Sequence, residues 1–175
     1  MAVLLEKAFP VEAGAFTTAG EASTTIKRTL KQLGVGPEVL RRVSVACYEV
    51  ELNLVIHSKG GTLTLLVDPE KVTLISKDVG PGIPDIEKAM TEGFSTASDE
   101  ARTLGFGAGM GLPNMKRNAS EFDIQSEVGV GTTITMSFAL KYCGGLSDYS
   151  TLKPPSSATG SGGISALHTT FGLWI

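Results

Sequence analysis

The sequence predicts an α/β two-layer sandwich in which helices cover one face of a mixed, mostly antiparallel sheet. Strand-like and helix-like patterns follow the order β, α, α, β, β, α, loop, α, β, β, which lacks the strict alternation of a parallel fold. Two pairs of strand-like runs are joined by short turns, a pattern typical of antiparallel hairpins. Hydrophobic residues make up 42% and charged residues 19%, so the chain has enough apolar side chains for a core.

The first elements are a strand and two amphipathic helices. Residues 2–9 read as a strand that stops near Pro10. Pro37 suits the first turn of the second helix, which runs to about His57. The first helix is predicted from about Thr18, because four apolar side chains recur at helical spacing: Ala22, Ile26, Leu30 and Leu33.

The second half of the chain contains a long polar segment between regular elements. Residues 92–108 are small, polar and rich in glycine, and so long a loop in a compact domain usually acts as a lid or a binding loop. Arg102 within it is either a ligand for a terminal phosphate or a solvated charge. The regular elements are strands at 62–67 and 72–76, a short helix at 84–91, a helix at 109–119, and strands at 122–126 and 132–140.

Charge and composition argue against several classes of protein. The formal net charge is −3 and no basic block stands out, so we expect neither a nucleic-acid partner nor a membrane surface. No apolar run approaches the length of a spanning helix, and the first residues lack the basic start of a signal peptide. Two cysteines form no disulfide framework, which favours a reducing, cytoplasmic location.

The composition changes after residue 142. Residues 143–175 contain 18 Gly, Ser, Thr and Pro residues among 33, a composition typical of flexible segments. We therefore expect one domain over residues 1–142 and a tail over 143–175 that is dispensable for folding.

One helix carries the first candidate site. Glu49, Asn53 and His57 are spaced i, i+4 and i+8 on the second helix and so share one face. A carboxylate and a carboxamide one turn apart can act as a general base and as an oxygen ligand for Mg²⁺. A solvated helix face is the alternative, and for His57 a structural or capping role is expected.

Two glycine-rich motifs are the other candidates. Asp78 opens Asp-Val-Gly-Pro-Gly at a strand end, where a carboxylate can accept a hydrogen bond from an exocyclic amine; an ordinary turn is the alternative. Alternate glycines precede the helix at 109–119 and expose backbone N–H groups suited to a polyphosphate, although a flexible linker is also consistent with them. These glycines are Gly105, Gly107, Gly109 and Gly111.

In this order the three motifs resemble the N, G1 and G2 boxes of GHKL-type ATP-binding domains (the Bergerat fold), shared by Hsp90, type II topoisomerases, MutL and histidine kinases. The resemblance covers roughly residues 1–142. It is strongest to bacterial anti-sigma factor serine/threonine kinases of the stress-module switch type, through the segments 109–117 and 121–126 and the Gly-Val-Gly-Thr-Thr that ends at Thr133.

The resemblance implies a role for each matching position. Glu49 would be the general base and Asn53 the Mg²⁺ ligand. Asp78 would bind the adenine amine, with Gly82 and Thr132 beside the ring. The glycines 107, 109 and 111 would hold the phosphates of ATP under a lid at 92–108, and three further residues complete the nucleotide-binding set: Gly80, Gly105 and Leu112.

The implied function is phosphorylation, by ATP, of a small antagonist-type protein in a bacterial transcription or stress-signalling switch. A sigma factor and a second copy of the chain are further candidate partners. Two other functions remain open at this stage. One is a non-catalytic ATP-binding module that sequesters a partner, and the other is the ATPase domain of a larger histidine-kinase-like protein.

Overall fold

The computed structural model describes residues 3–140 and contains five strands and five helices in that range. The strands are β1 (Leu5–Val11), β2 (Gly61–Val67), β3 (Lys71–Asp78), β4 (Glu121–Glu127) and β5 (Gly131–Ala139). The helices are α1 (Glu21–Gln32), α2 (Pro37–His57), α3 (Ile86–Ala89), α4 (Asp99–Thr103) and α5 (Gly111–Asn118).

The five strands form one sheet in the order β1-β2-β3-β5-β4, and each of its four pairings is antiparallel. Side chains alternate along β2 and β3 between buried and partly exposed, as expected for a sheet with one covered face. The predicted two-layer α/β fold with a mostly antiparallel sheet is therefore confirmed. The central strands supply the floor of the core through Leu63, Leu65, Val72, Leu74, Met136 and Phe138.

Helix α2 lies across the covered face of the sheet and organises the helical layer. Pro37 occupies its first turn, where a missing N–H breaks no helical hydrogen bond. The helix packs against β1, β3 and β5, with α1 and α5 beside it. Its core stripe recurs every three or four residues and comprises Val39, Val43, Ala46, Cys47, Val50 and Leu54. Because this stripe is buried, the adjacent face that carries Glu49 is left at the surface of the layer.

A buried carboxylate of α2 caps the start of α1. Gly20 precedes α1, and no side chain of its own segment caps the helix. Glu51 does so instead: its Oε1 accepts hydrogen bonds from the backbone N–H groups of Gly20 (2.9 Å) and Ala22 (3.1 Å), and its Oε2 accepts one from Ser23 (2.8 Å). A helix start leaves such N–H groups without helical partners and favours a negative charge. The three hydrogen bonds to Glu51 therefore join the start of α1 to α2.

The predicted first strand was misplaced. It does not stop near Pro10 but spans Leu5–Val11, and Pro10 pairs with Thr62 of β2. The physical reason is that β1 is an edge strand, where a proline breaks no ladder bond if its N position faces away from the neighbouring strand.

The segment 92–108 is not free of regular structure, since α4 lies within it. Ser98 starts this short helix, because its Oγ accepts a hydrogen bond from the N–H of Ala101, and the Ala101 side chain is buried. Arg102 folds back onto the same segment, where its guanidinium donates to the carbonyl oxygens of Ala97 and Ser95. These contacts stabilise the fold of the segment 92–108.

No helix within residues 3–140 is both long enough and apolar enough to cross a membrane. The predicted domain boundary after residue 142 and the tail at 143–175 lie outside the described residues, and both stay predictions.

Candidate nucleotide-binding site

A cavity of about 950 Å³ opens between α2, the end of β3, α3, the 92–108 lid and the start of α5. Ten of the eleven predicted site residues line it: Glu49, Asn53, Asp78, Gly82, Gly105, Gly107, Gly109, Gly111, Leu112 and Thr132. Gly80 is the exception: it does not line the cavity, and a Cβ there would lie 3.0 Å from Asp78 Oδ1 and 3.3 Å from Ser58 Cα. Residues from three distant parts of the sequence are thus brought to one cavity.

Glu49 and Asn53 line this cavity from adjacent turns of α2, as their spacing predicts. Glu49 Oε1 accepts a 2.7 Å hydrogen bond from Nδ2 of Asn114 on α5. A Cβ placed on Gly111 would lie 3.5 Å from Glu49 Oε2 and 3.2 Å from Asn53 Oδ1. The second carboxylate oxygen and the carboxamide oxygen therefore lie beside the same small gap next to Gly111, which a larger side chain would narrow.

The donor set suits a Mg²⁺ ion that is shared with phosphates. Within the described part of the chain, no group of three or more His, Cys, Asp or Glu side chains forms a self-contained metal site. Mg²⁺ keeps several waters and is commonly held by one or two protein oxygens together with substrate phosphates. Asn53 Oδ1, at the edge of the cavity, fits the role of such a single protein ligand.

Asp78 closes the opposite end of the cavity. Its Oδ1 accepts a hydrogen bond from the N–H of Thr132 at 3.2 Å, which orients the carboxylate. Burial raises the pKa of Asp78 above its usual range, although the Thr132 N–H opposes that shift. The folded chain thus holds a partly desolvated carboxylate whose second oxygen is available to an amine donor.

The turn that follows Asp78 is packed tightly against the β4–β5 connection. Gly82 has a φ of 69°, and a Cβ there would lie 2.2 Å from the carbonyl oxygen of Glu127. Ser126 Oγ accepts a hydrogen bond from the N–H of Ile83 (2.7 Å) and lies 2.9 Å from Thr132 Oγ1. These contacts hold the turn, and with it the apolar wall formed by Ile83, against the sheet.

The glycine-rich segment has a backbone conformation that side-chain-bearing residues rarely adopt. Gly105, Gly107 and Gly109 have φ values between 75° and 86°, in the left-handed region. Gly111 then begins α5, whose first turn lacks a side-chain cap. The N-terminal N–H groups of such a helix attract anions.

The two ends of the lid meet at a neck. The N–H of Gly93 donates a 3.0 Å hydrogen bond to the carbonyl oxygen of Gly109, and a Cβ on Gly109 would lie 2.4 Å from the carbonyl carbon of Gly93. Further out, Phe106 of the lid stacks on Phe16 of the β1–α1 loop, with ring centroids 5.9 Å apart. The lid therefore contacts the core at its neck and at this stack.

Sequence reasoning missed several residues of the site. Asn114 lies within the segment 109–117, and the sequence predicts no role for it, although its side chain contacts Glu49. The sequence predicts only a structural or capping role for His57. It lines the cavity, and burial lowers the pKa of its imidazole, so its neutral form predominates near neutral pH. Leu52 and Ile134 also line the cavity, and their only signal in the sequence is that they are apolar residues on predicted elements.

Comparison with known proteins identifies the same family of ATP-binding domains that the sequence motifs resemble. The family model described as "Histidine kinase-, DNA gyrase B-, and HSP90-like ATPase" matches residues 38–142. The serine/threonine-protein kinase RsbT of Bacillus subtilis is 36% identical over 112 residues, which cover 62% of this chain and 78% of that protein. The anti-sigma F factor of Thermoanaerobacter sp. (strain X514) is 34% identical over 128 residues, covering 70% and 84% respectively.

A solved structure supports the fold alone. The crystal structure of the SiaB-SiaC complex from Pseudomonas aeruginosa contains a chain that superposes with a TM-score of 0.52 at 12% identity, covering 78% of this chain and 89% of that one. Fold, cavity and family model agree, and the family model spans more than half of the sequence. The chain therefore belongs to the family of histidine kinase-, DNA gyrase B- and HSP90-like ATPases.

Proposed function

We propose that this chain is an ATP-dependent serine/threonine protein kinase that phosphorylates a small antagonist-type protein in a bacterial transcription or stress-signalling switch. One observation carries the proposal: Glu49 Oε2 and Asn53 Oδ1 both lie beside Gly111, at the start of the helix that follows the glycine loop. A relative that is 36% identical is named as a serine/threonine-protein kinase, which supports the same reaction.

The arrangement suits phosphoryl transfer, in which positioning and charge neutralisation matter more than covalent catalysis. Asp78 and Thr132 would orient the adenine, and the backbone N–H groups around Gly107, Gly109 and Gly111 would surround the phosphates. Mg²⁺ would be held by Asn53 and would neutralise phosphate charge.

Glu49 would act on the hydroxyl group of the protein substrate. In the proposed step, the serine oxygen bonds to the γ-phosphorus as the bond from that phosphorus to the bridging oxygen breaks. The hydroxyl proton passes to Glu49 and ADP leaves. General bases contribute roughly 10²- to 10⁴-fold to such steps.

A second function is favoured by the other relatives. Proteins that are 29–34% identical to this chain are named anti-sigma F factors, so the chain is also a candidate for a partner-sequestering module. Such a module would use bound nucleotide to order its lid and would need no general base. A sigma factor would then be its partner.

Labelled phosphate distinguishes the two functions. The full chain is incubated with Mg²⁺, γ-labelled ATP and purified small antagonist-type proteins whose genes neighbour its own. Label that appears on a serine or threonine of one of these proteins supports the kinase. ATP-dependent complex formation without transfer to any of them contradicts the kinase and supports the sequestering module.

Asp78→Asn is expected to weaken ATP binding by roughly tenfold or more, because the carboxamide has a single acceptor oxygen for two donors, the N–H of Thr132 and the adenine amine. Folding should not suffer, because burial penalises the charged form of this side chain and asparagine removes that penalty. Calorimetric titration with ATP and a thermal melt measure the two effects. Asp123→Asn on the exposed side of β4 is the matched control, and equal ATP affinity in wild type and Asp78→Asn would show that Asp78 does not bind the adenine.

Gly109→Ala is expected to weaken ATP binding by roughly tenfold or more, because a methyl group at the neck would force the two ends of the lid apart. Gly34→Ala is the control: Gly34 also has a φ near 80°, but a Cβ there meets no atom within 4 Å. Both variants bear a backbone strain of about 1–2 kcal/mol, so the difference in ATP affinity isolates the neck. If both bind ATP equally well, the neck is not needed for nucleotide binding.

A further inference from the structure

We propose that Asn114 is a positioning residue that holds the Glu49 carboxylate in place for proton transfer. The inference rests on the proposed kinase function and adds a residue that lies outside the cavity lining. Asn114 sits on α5, one helical turn into the helix that follows the glycine loop.

The hydrogen bond between the two side chains restricts how the carboxylate can turn. Asn114 Nδ2 donates to Glu49 Oε1 at 2.7 Å across the α2–α5 contact. A glutamate side chain has three rotatable bonds, and the Glu49 side chain is only partly buried, so packing alone does not orient it. With Oε1 engaged, Oε2 is left beside Gly111, at the gap shared with Asn53.

The carboxamide itself is oriented by charges of opposite sign. Its amino group faces the Glu49 carboxylate, and its carbonyl oxygen Oδ1 lies 3.5 Å from Nη1 of Arg117, which donates to it. Arg117 is held in turn by an ion pair with Glu92, next to the neck of the lid. A carboxamide suits this position between an anion and a cation, because it offers a donor on one side and an acceptor on the other.

A double-mutant cycle tests the assignment. Asn114→Leu keeps the approximate size of the side chain, and we expect it to lower the rate of phosphoryl transfer roughly ten- to hundredfold without changing the Kd for ATP. In a Glu49→Ala background the same change should have no further effect on the rate, because Asn114 would act through Glu49. Equal losses in both backgrounds, or a wild-type rate in Asn114→Leu, would overturn the inference.

Two companion variants separate positioning from packing. Asn118→Leu lies one turn later on α5, removes a hydrogen bond to a backbone carbonyl and should leave the transfer rate unchanged. Asn114→Asp has the shape of asparagine but places a second carboxylate against Glu49, so it should lose at least as much activity as the leucine variant. A fully active aspartate variant would contradict a donor role.

The contact can also be measured without any activity. The side-chain amide resonances of Asn114 should shift when Glu49 is replaced by alanine, because the charged acceptor is lost. If wild type transfers no phosphate to any partner, the proposed function fails, and these resonances alone then decide the contact. Amide resonances that do not move on Glu49→Ala overturn the inference in either case.

Discussion

Glu49→Ala is expected to lower the rate of phosphoryl transfer by roughly a hundredfold or more, while the variant binds ATP as tightly as wild type does. The reason is geometric. Glu49 Oε2 lies next to Gly111 and Asn53 Oδ1, where it can accept a hydroxyl proton in the transition state, and the proposed mechanism gives it no bond to the nucleotide. Single-turnover transfer and calorimetric titration with ATP measure the two quantities separately.

Two variants sharpen this experiment. Glu49→Gln keeps the size of the side chain but cannot accept the proton, so it should lose as much activity as the alanine variant. Glu6→Ala removes an exposed carboxylate from the edge strand β1 and controls for the change in net charge. Transfer at the wild-type rate in Glu49→Ala would place the base elsewhere or show that none is needed.

Glu51→Ala is expected to lower the free energy of unfolding by about 3 kcal/mol or more, the largest effect on stability among the substitutions considered. The change removes a buried carboxylate that accepts hydrogen bonds from the N–H groups of Gly20, Ala22 and Ser23. Those groups lie at the start of α1, where no other side chain replaces the lost acceptor. Urea unfolding gives the free energy, and the melting temperature should fall by about 10 °C.

Glu49→Ala is the control for the effect of Glu51→Ala on stability. The two residues are separated by a single position on α2, yet Glu51 is only 2% exposed, whereas Glu49 faces the cavity. Glu49→Ala should therefore keep the wild-type melting temperature. If Glu51→Ala unfolds at the same urea concentration as Glu49→Ala, the cap does not contribute the stability that its three hydrogen bonds indicate.

The fold could be predicted from local patterns because its elements depend on them. The apolar stripe of α2 recurs at helical spacing, and the hairpins are joined by short turns, so element type and order followed from neighbouring residues. The predicted end of β1 is wrong because it treats Pro10 as a strand breaker. Whether a proline is tolerated depends on the place of the strand in the sheet, which is a property of the tertiary fold.

The candidate site was predictable to the extent that its motifs have regular spacing. Glu49 and Asn53 lie four residues apart, and the glycines alternate, so both patterns are visible in the sequence. The partners of Glu51 lie 28 to 31 residues before it, and Asn114 lies 65 residues after Glu49. No periodic pattern joins such distant positions, and their contacts arise only when helices pack side by side.

The neck of the lid also matters for protein engineering. The chain enters and leaves this segment at one point, since Gly93 and Gly109 are joined by a backbone hydrogen bond. The free-energy cost of closing a loop rises by only about 0.6 kcal/mol for each doubling of its length. Extra residues inserted at the exposed Leu104 would therefore lower the free energy of unfolding of the sheet and its helical layer very little. This position is therefore a natural insertion point for a reporter peptide.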